Sequence, residues 1–222
     1  GSHNRIVAIQ GVAGAGKSTV LKPVADILRE EGRAVLGLAV QNTLVHMLER
    51  DTGIPSMTVS RFLGQHRDLL EEADASRLAE ARAAMRGTVV LLDEASMVGN
   101  ADKEKLVRLA NLLELGRFAS IGDRKQLGAV DAGKPFDVMQ QAGIETAVMS
   151  TNLRARSEGL REAQQAAQEG RIEDAMRHLA PQVIEAGNDA AVEAAAAWLS
   201  LSSAAREATA IYASGRNLRS AV

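Results

Sequence analysis

Short apolar, largely β-branched runs alternate along the chain with longer stretches in which apolar residues return every three or four positions. The runs at 6–9, 34–40, 88–93 and 118–121 read as buried strands. Between them, 17–31 and 102–115 read as helices, and in the second of these Leu106, Leu109, Leu112 and Leu113 recur at helical spacing. Alternation of this kind predicts an α/β fold: right-handed βαβ crossovers and a mostly parallel sheet with helices on both faces. Gly32 stands where a helix C-terminal glycine belongs. Pro23 falls inside the first helix and predicts a bend or a lost hydrogen bond there. The stretch 43–87 is polar and helical in pattern, rich in Glu, Arg and Ala, and predicts a surface helix or hairpin. From about residue 151 the texture changes. Ala, Glu, Gln and Arg dominate helical stretches at 159–169 and 172–179, an alanine-rich helix follows around 190–199, and 208–213 is read as a further strand. No repeat of the solenoid kind is present.

Composition narrows this picture. A chain of 222 residues suggests one full domain and part of another, and 46% hydrophobic with 24% charged residues is a globular balance. The longest apolar runs are too short to cross a bilayer, and no secretory signal is present. Gly1-Ser2-His3 reads as the remnant of a cleaved tag. The lack of cysteine excludes a disulfide framework and any Cys-ligated metal, and is compatible with a reducing cytoplasm. His46, His66 and His178 show no metal spacing with one another, and Met47, Met57, Met85 and Met97 read as core filler. A net charge of −2 announces no global affinity for nucleic acid, so any basic patch must be local. Aromatics make up only 2%, which leaves Phe62, Phe118, Phe136, Trp198 and Tyr212 as the available bases' stacking partners.

Three constellations carry chemistry. Gly11-Val12-Ala13-Gly14-Ala15-Gly16-Lys17-Ser18 fits G-x-x-x-x-G-K-[ST] between a predicted strand and a predicted helix. Its glycines let backbone N–H groups turn inward around a phosphate, at a helix N-terminus whose dipole favours anions. Gly11, Gly14, Ala15, Gly16, Lys17, Ser18 and Thr19 are the expected phosphate cradle, with Lys17 on the β- and γ-phosphates of ATP and the Ser18 hydroxyl on Mg²⁺. Next, an apolar strand ends in Asp93 and Glu94, at the sheet edge where open α/β sheets bind ligands. Asp93 is the expected Mg²⁺ holder and Glu94 the base for an attacking water. The second carboxylate favours hydrolysis over a small-molecule kinase. Finally, Gly122-Asp123-Arg124-Lys125-Gln126 ends the next strand, where Gln126 is placed to sense the γ-phosphate; a plain turn fits that sequence equally well.

In this order the three resemble motifs I, II and III of superfamily 1 helicases, most of all the RecD-like branch, and imply a RecA-like P-loop domain. Thr58-Val59-Ser60-Arg61-Phe62-Leu63 is similar to that branch's single-strand-contacting motif. Asp131-Ala132-Gly133-Lys134-Pro135-Phe136, Leu160-Arg161-Glu162-Ala163 and Ile211-Tyr212-Ala213-Ser214-Gly215-Arg216 resemble the helicase portion of conjugative relaxases. The resemblance implies a bacterial, cytoplasmic 5′-to-3′ motor acting on single-stranded DNA. Asn152-Leu153-Arg154 is similar to motif IV, whose arginine reaches the γ-phosphate from a second domain, so Arg154, with Arg156 as substitute, is the expected catalytic arginine. Thr58, Arg61 and Phe62 are expected to face DNA. In place of the usual motif Ia stands Ala39-Val40-Gln41-Asn42-Thr43-Leu44-Val45, in which Gln41, Asn42 and Thr43 can still bond phosphates.

The expected organisation is a first motor domain over 4–150, with 43–87 as an insert able to form a strand-separating pin, and the truncated start of a second motor domain over 151–222. On this reading the chain is a piece of a larger relaxase–helicase, with the rest of that chain as its partner. Its oligomeric state is left open. The competing readings are a helicase-like module that binds single strands without turnover, and a small-molecule P-loop kinase.

Overall fold

The computed structural model describes residues 3–12, 14–71, 74–125, 133–151, 155, 157–184, 186 and 189–212. The chain divides into two compact units, Gly1–Arg161 and Glu162–Val222.

In the first unit, β1 (Ile6–Gly11), β2 (Val35–Ala39), β3 (Ser56–Thr58), β4 (Val89–Leu92), β5 (Arg117–Gly122) and β6 (Thr146–Met149) form one sheet in the order β3-β2-β4-β5-β1-β6. Every pairing is parallel, as the alternating pattern requires. The four consecutive apolar residues of β4 follow from burial on both faces. Val89 and Leu91 join Val7, Ala119 and Ile121 under α1 (Lys17–Glu30) and α2 (Asn42–Thr52), which contribute Leu21, Ala25 and Leu48. Val90 and Leu92 face the other way, with Ala8, Leu38 and Phe118, under α3 (Val59–Gln65) and α6 (Asn100–Leu112). Leu106 and Leu109 of α6, and Leu113 just beyond it, are almost fully buried, which is the helical spacing seen in the sequence.

Helix α1 continues through Pro23, which is exposed; the proline offers no N–H, so the helix lacks one hydrogen bond on its solvent side. The stretch 43–87 holds most of α2, then β3, α3, α4 (Arg67–Glu71) and α5 (Ala75–Met85). Strand β3 was not expected in it. Three residues are too few to show an alternation, and its place at the sheet edge comes only from pairing Gly37, Leu38 and Ala39 with Ser56, Met57 and Thr58. The opposite edge strand, β6, was missed for a related reason: Ala147 and Val148 are exposed, so it carries no buried-strand signature.

A lysine is among the polar residues that the core encloses. Lys103 on α6 is 2% exposed, donates to Ser120 Oγ at 3.2 Å, and lies about 6 Å from the ring centres of Phe118 and Phe136. Desolvation pushes its ammonium down to about 7.

The second unit contains most of α8 (Glu158–Gln168), with α9 (Ile172–Leu179), α10 (Ala190–Leu199) and the short α11 (Ser203–Glu207). Its buried residues are mainly small: Ala163, Ala166, Ala175 and Ala191. The strand expected at 208–213 does not form over the described part. Residues 209–212 are irregular, and the Thr209 carbonyl accepts from Trp198 Nε1 at 2.9 Å instead of from a neighbouring strand. An isolated extended segment has nothing to pair with, whatever its β propensity.

Candidate active site

Strand β1 ends at Gly11 and α1 begins at Lys17, so the intervening turn must reverse direction within a few residues. Gly14 and Gly16 do this at φ 78° and 75°, left-handed conformations that favour glycine. Ala15 N–H closes the turn on the Val12 carbonyl at 3.0 Å. A Cβ on Gly11 would stand 2.6 Å from Lys17 Cγ, so the bare glycine clears the path of the lysine. Lys17 Nζ folds back to donate to the Gly11 carbonyl at 3.0 Å, which holds the ammonium over the turn. No side chain caps α1 and no acid occupies its first turn, so its first N–H groups are free to meet an anion. These features fit a triphosphate. The main chain of Ser18 and Thr19 opens the helix as expected, whereas the Ser18 side chain lies outside the described residues.

Two strands away, β4 delivers the acids. Asp93 N–H extends the ladder by donating to Leu38 O at 2.9 Å, and Asp93 Oδ1 accepts from the N–H of Glu94 at 2.9 Å. Glu94 adopts φ 48°, ψ 44°, a left-handed conformation that strains a non-glycine residue by about 1–2 kcal/mol. Burial pushes the carboxyls of both Asp93 and Glu94 above the ordinary range, and the Asp93 charge pushes Glu94 further. The Lys17 ammonium pulls both back down, so the lysine of the turn and the two acids share one electrostatic field. A base with a raised pKa is better suited to take a proton from water.

Strand β5 lies between these two groups and is followed directly by buried Asp123. Gly122 fits tightly: a Cβ there would come within 3.1 Å of Ser96 N and 3.3 Å of Phe136 Cε1. Gln10, 8% exposed, donates from Nε2 to Asp123 Oδ1 at 2.8 Å. Gln140 Nε2 in turn donates to Gln10 Oε1 at 3.2 Å, and sequence reasoning passed over both residues. The signal for Gln10 was present, as a polar residue ending the apolar run of β1; nothing in the sequence marked Gln140.

The expected DNA contacts fall into two groups. Gln41, Asn42 and Thr43 are exposed at the start of α2, and Arg61 is exposed on α3. Pairing of Ala39 with Thr58 brings the ends of β2 and β3 side by side, so these residues gather at the same carboxyl edge as the acids. Thr58 caps α3, its hydroxyl accepting from Arg61 N–H at 3.2 Å. Phe62 does not face outward: at 1% exposure it is part of the core, packed 4.6 Å from the His66 ring, and so cannot stack on a base. Phe118 and Phe136 are likewise buried, which leaves Trp198 and Tyr212 as the accessible aromatics. Met47, expected in the core, is 44% exposed. Gln126, Arg154 and Arg156 lie outside the described residues. Among the described residues no group of three or more His, Cys, Asp or Glu could hold a metal ion.

A groove of about 570 Å³ opens beneath α1, lined by Val7, Val20, Val24, Ile121 and Ala147. It is mainly apolar, runs along the face of the sheet, and reaches Lys17 and Met149 at its carboxyl end.

Comparison with known proteins agrees with this fold. The family model described as an AAA domain matches residues 1–189. The chain belongs to the AAA domain family. This AAA domain is 32% identical over 167 residues to the multifunctional conjugation protein TraI of Escherichia coli K12, covering 73% of the chain and 9% of that protein. It is 33% identical over 144 residues to the ATP-dependent RecD2 DNA helicase of Deinococcus radiodurans, covering 63% of the chain and 18% of that protein. The crystal structure of Pif1 helicase from Candida albicans has the same fold, at a TM-score of 0.50 and 20% identity over 71% of this chain and 40% of that one. The fold is that of a RecA-like P-loop NTPase, and the AAA domain spans less than a fifth of either curated relative.

Proposed function

We propose that this AAA domain is the ATP-binding motor portion of a 5′-to-3′ DNA helicase, within a bacterial, cytoplasmic conjugative relaxase. The convergence of Lys17, Asp93 and Glu94 at one sheet edge supports this reading, with the lysine acting electrostatically on both acids. The turn and the uncapped start of α1 bind the phosphates, and Lys17 leaves the Gly11 carbonyl for the β- and γ-phosphates. Asp93 and Ser18 would hold Mg²⁺, whose charge offsets that developing on the transferred phosphoryl group. Glu94 orients a water and accepts its proton. Residues 4–150 supply this half of the site, and Arg154, from the segment after 151, completes it together with Gln126. Gln41, Asn42, Thr43, Thr58 and Arg61 are placed to meet single-stranded DNA at the same edge, so that closing of the phosphate site can act on the strand.

The test is nucleotide binding and DNA-stimulated phosphate release in the full-length parent. Lys17→Ala is expected to lose both binding and release. Glu94→Gln is expected to keep binding and to lose about 10²–10⁴-fold in turnover, the usual worth of a positioned base. Unchanged release in Lys17→Ala would overturn the reading. Binding of nucleotide and DNA without release by the wild type would identify a helicase-like binding module instead.

A further inference from the structure

Gln10 is the last side chain of β1 before the phosphate turn, and both ends of its amide are engaged. Nε2 donates to Asp123 Oδ1 at 2.8 Å, while Oε1 accepts from Arg124 N–H at 3.0 Å and from Gln140 Nε2 at 3.2 Å. The same Asp123 oxygen accepts from Lys125 N–H at 3.0 Å. The turn after β5 is therefore held by two backbone N–H groups, one bound directly to Gln10 and the other through the carboxylate that Gln10 binds. Gln10 and Asp123 are both buried, so water cannot replace these bonds cheaply.

The residue type follows from the task. The side chain must donate to a carboxylate with one atom and accept a backbone N–H with the other, at this reach. Glutamate has no donor, asparagine is a methylene shorter, and lysine or arginine has no acceptor. The position matters as much. The next residue is Gly11, whose carbonyl holds Lys17, so the rod that carries the phosphate turn also carries the clamp. Register places Gln10 level with Gly122, directly beside the turn it holds.

We infer that Gln10 is a positioning residue that couples phosphate occupancy at the Gly11–Lys17 turn to the turn formed by Asp123, Arg124 and Lys125. This rests on the nucleotide-binding reading above. When Lys17 moves from the Gly11 carbonyl to a phosphate, β1 settles against the triphosphate, and the amide of Gln10 fixes the adjacent turn in step. A side chain that merely filled space would stabilise the fold but would not make the second turn respond to nucleotide.

Site-resolved amide hydrogen exchange on the whole chain, with and without a non-hydrolysable ATP analogue and Mg²⁺, separates these roles. In the wild type the analogue is expected to slow exchange both at residues 14–20 and at Arg124 and Lys125. In Gln10→Leu, exchange at the two turn amides without nucleotide is expected to quicken by about tenfold, as for loss of a single buried hydrogen bond. The analogue should then protect residues 14–20 alone. Gln10→Glu sets two carboxylates against each other and should behave like Gln10→Leu. Adding Asp123→Asn to Gln10→Glu restores a donor facing an acceptor and should restore the response at Arg124, while Lys125 N–H, which shared that oxygen with Gln10, loses its acceptor and stays unprotected. Protection of both regions in Gln10→Leu overturns the coupling and leaves nucleotide binding intact. An analogue that protects nothing in the wild type overturns nucleotide binding, and the coupling with it. In the full-length parent, Gln10→Leu is expected to lower kcat for ATP with little change in KM; a rise in KM alone would contradict the proposal.

Discussion

Asp93 shows how a site residue is held at the expense of the fold. Its carboxyl is buried at the end of β4, and desolvation raises its pKa although Lys17 and the Glu94 N–H oppose the shift. A carboxyl raised in the folded state binds its proton more tightly there than in the unfolded chain. Its contribution to stability is therefore fully present below the ordinary value of 3.8 and is lost as pH rises through the raised one. Asp93→Asn removes a buried charge at neutral pH while keeping the shape. The variant is expected to melt higher than wild type by roughly 2–4 °C at pH 7, the scale of about 1 kcal/mol in a protein of this size. The advantage should shrink as the pH falls toward 4, and phosphate release should be lost at every pH. Thermal melts across pH 4–8 check this, and an advantage that grows in acid would refute it. Glu94, strained in a left-handed conformation beside Asp93, is a second site where the chain accepts local instability for placement.

At the scale of elements, α6 is a case in which the apolar pattern and the buried face coincide. Its leucines were legible because they repeat at helical spacing, and the same holds for β1, β2, β4 and β5, whose apolar runs are buried on both faces. The phosphate turn and the paired acids were legible because each sits at a boundary between strand and helix, where chemistry and chain direction change together. Strands β3 and β6 were not legible: one is too short to alternate, and the other is exposed. Phe62 was misplaced because an outward-facing motif residue and a core aromatic look alike in a sequence, and only the packing of α3 distinguishes them. Lys103 was invisible for the opposite reason, a charged residue on an amphipathic helix that reads as solvent-facing. Its ammonium finds one acceptor, Ser120 Oγ, and two aromatic rings. With a folded pKa of about 7, the folded chain releases this proton while the unfolded chain still holds it, so stability rises with pH from about 7 toward 10.5. Lys103→Met should stabilise the sheet-containing unit by on the order of a few kcal/mol at pH 6, because an apolar side chain of similar length replaces a buried charge. Denaturant titrations should show the gap narrowing above pH 7. A less stable Lys103→Met would mean that the ammonium is worth more to α6 than its desolvation costs.

For the molecule as a whole, charge decides what DNA binding can look like. With a net charge of −2, the chain has no net positive charge to draw in a phosphate backbone. The residues gathered at the ends of β2 and β3 are mostly neutral hydrogen-bonding groups, Gln41, Asn42, Thr43 and Thr58, with Arg61 as the cation among them. Binding of single strands by such a surface releases few counterions. Each phosphate neutralised by a cationic side chain steepens the salt dependence of log K by about 0.7 for single strands, so Arg61 alone gives a slope of about −0.7. The chain is therefore expected to bind oligo-dT weakly, with a shallow salt slope, and Arg61→Ala should reduce that slope by about 0.7 while leaving the fold intact. Phe62→Ala provides the contrast. As a core residue it should lower stability by roughly 3–5 kcal/mol, and where the protein remains folded it should leave the salt slope unchanged. Fluorescence anisotropy of labelled oligo-dT between 50 and 200 mM salt, run beside thermal melts, separates the two effects. A steep slope in the wild type, or a salt slope altered by Phe62→Ala at full stability, would move the strand away from the carboxyl edge of β2 and β3. The motor reading would then need a different path for DNA past Asp93 and Glu94.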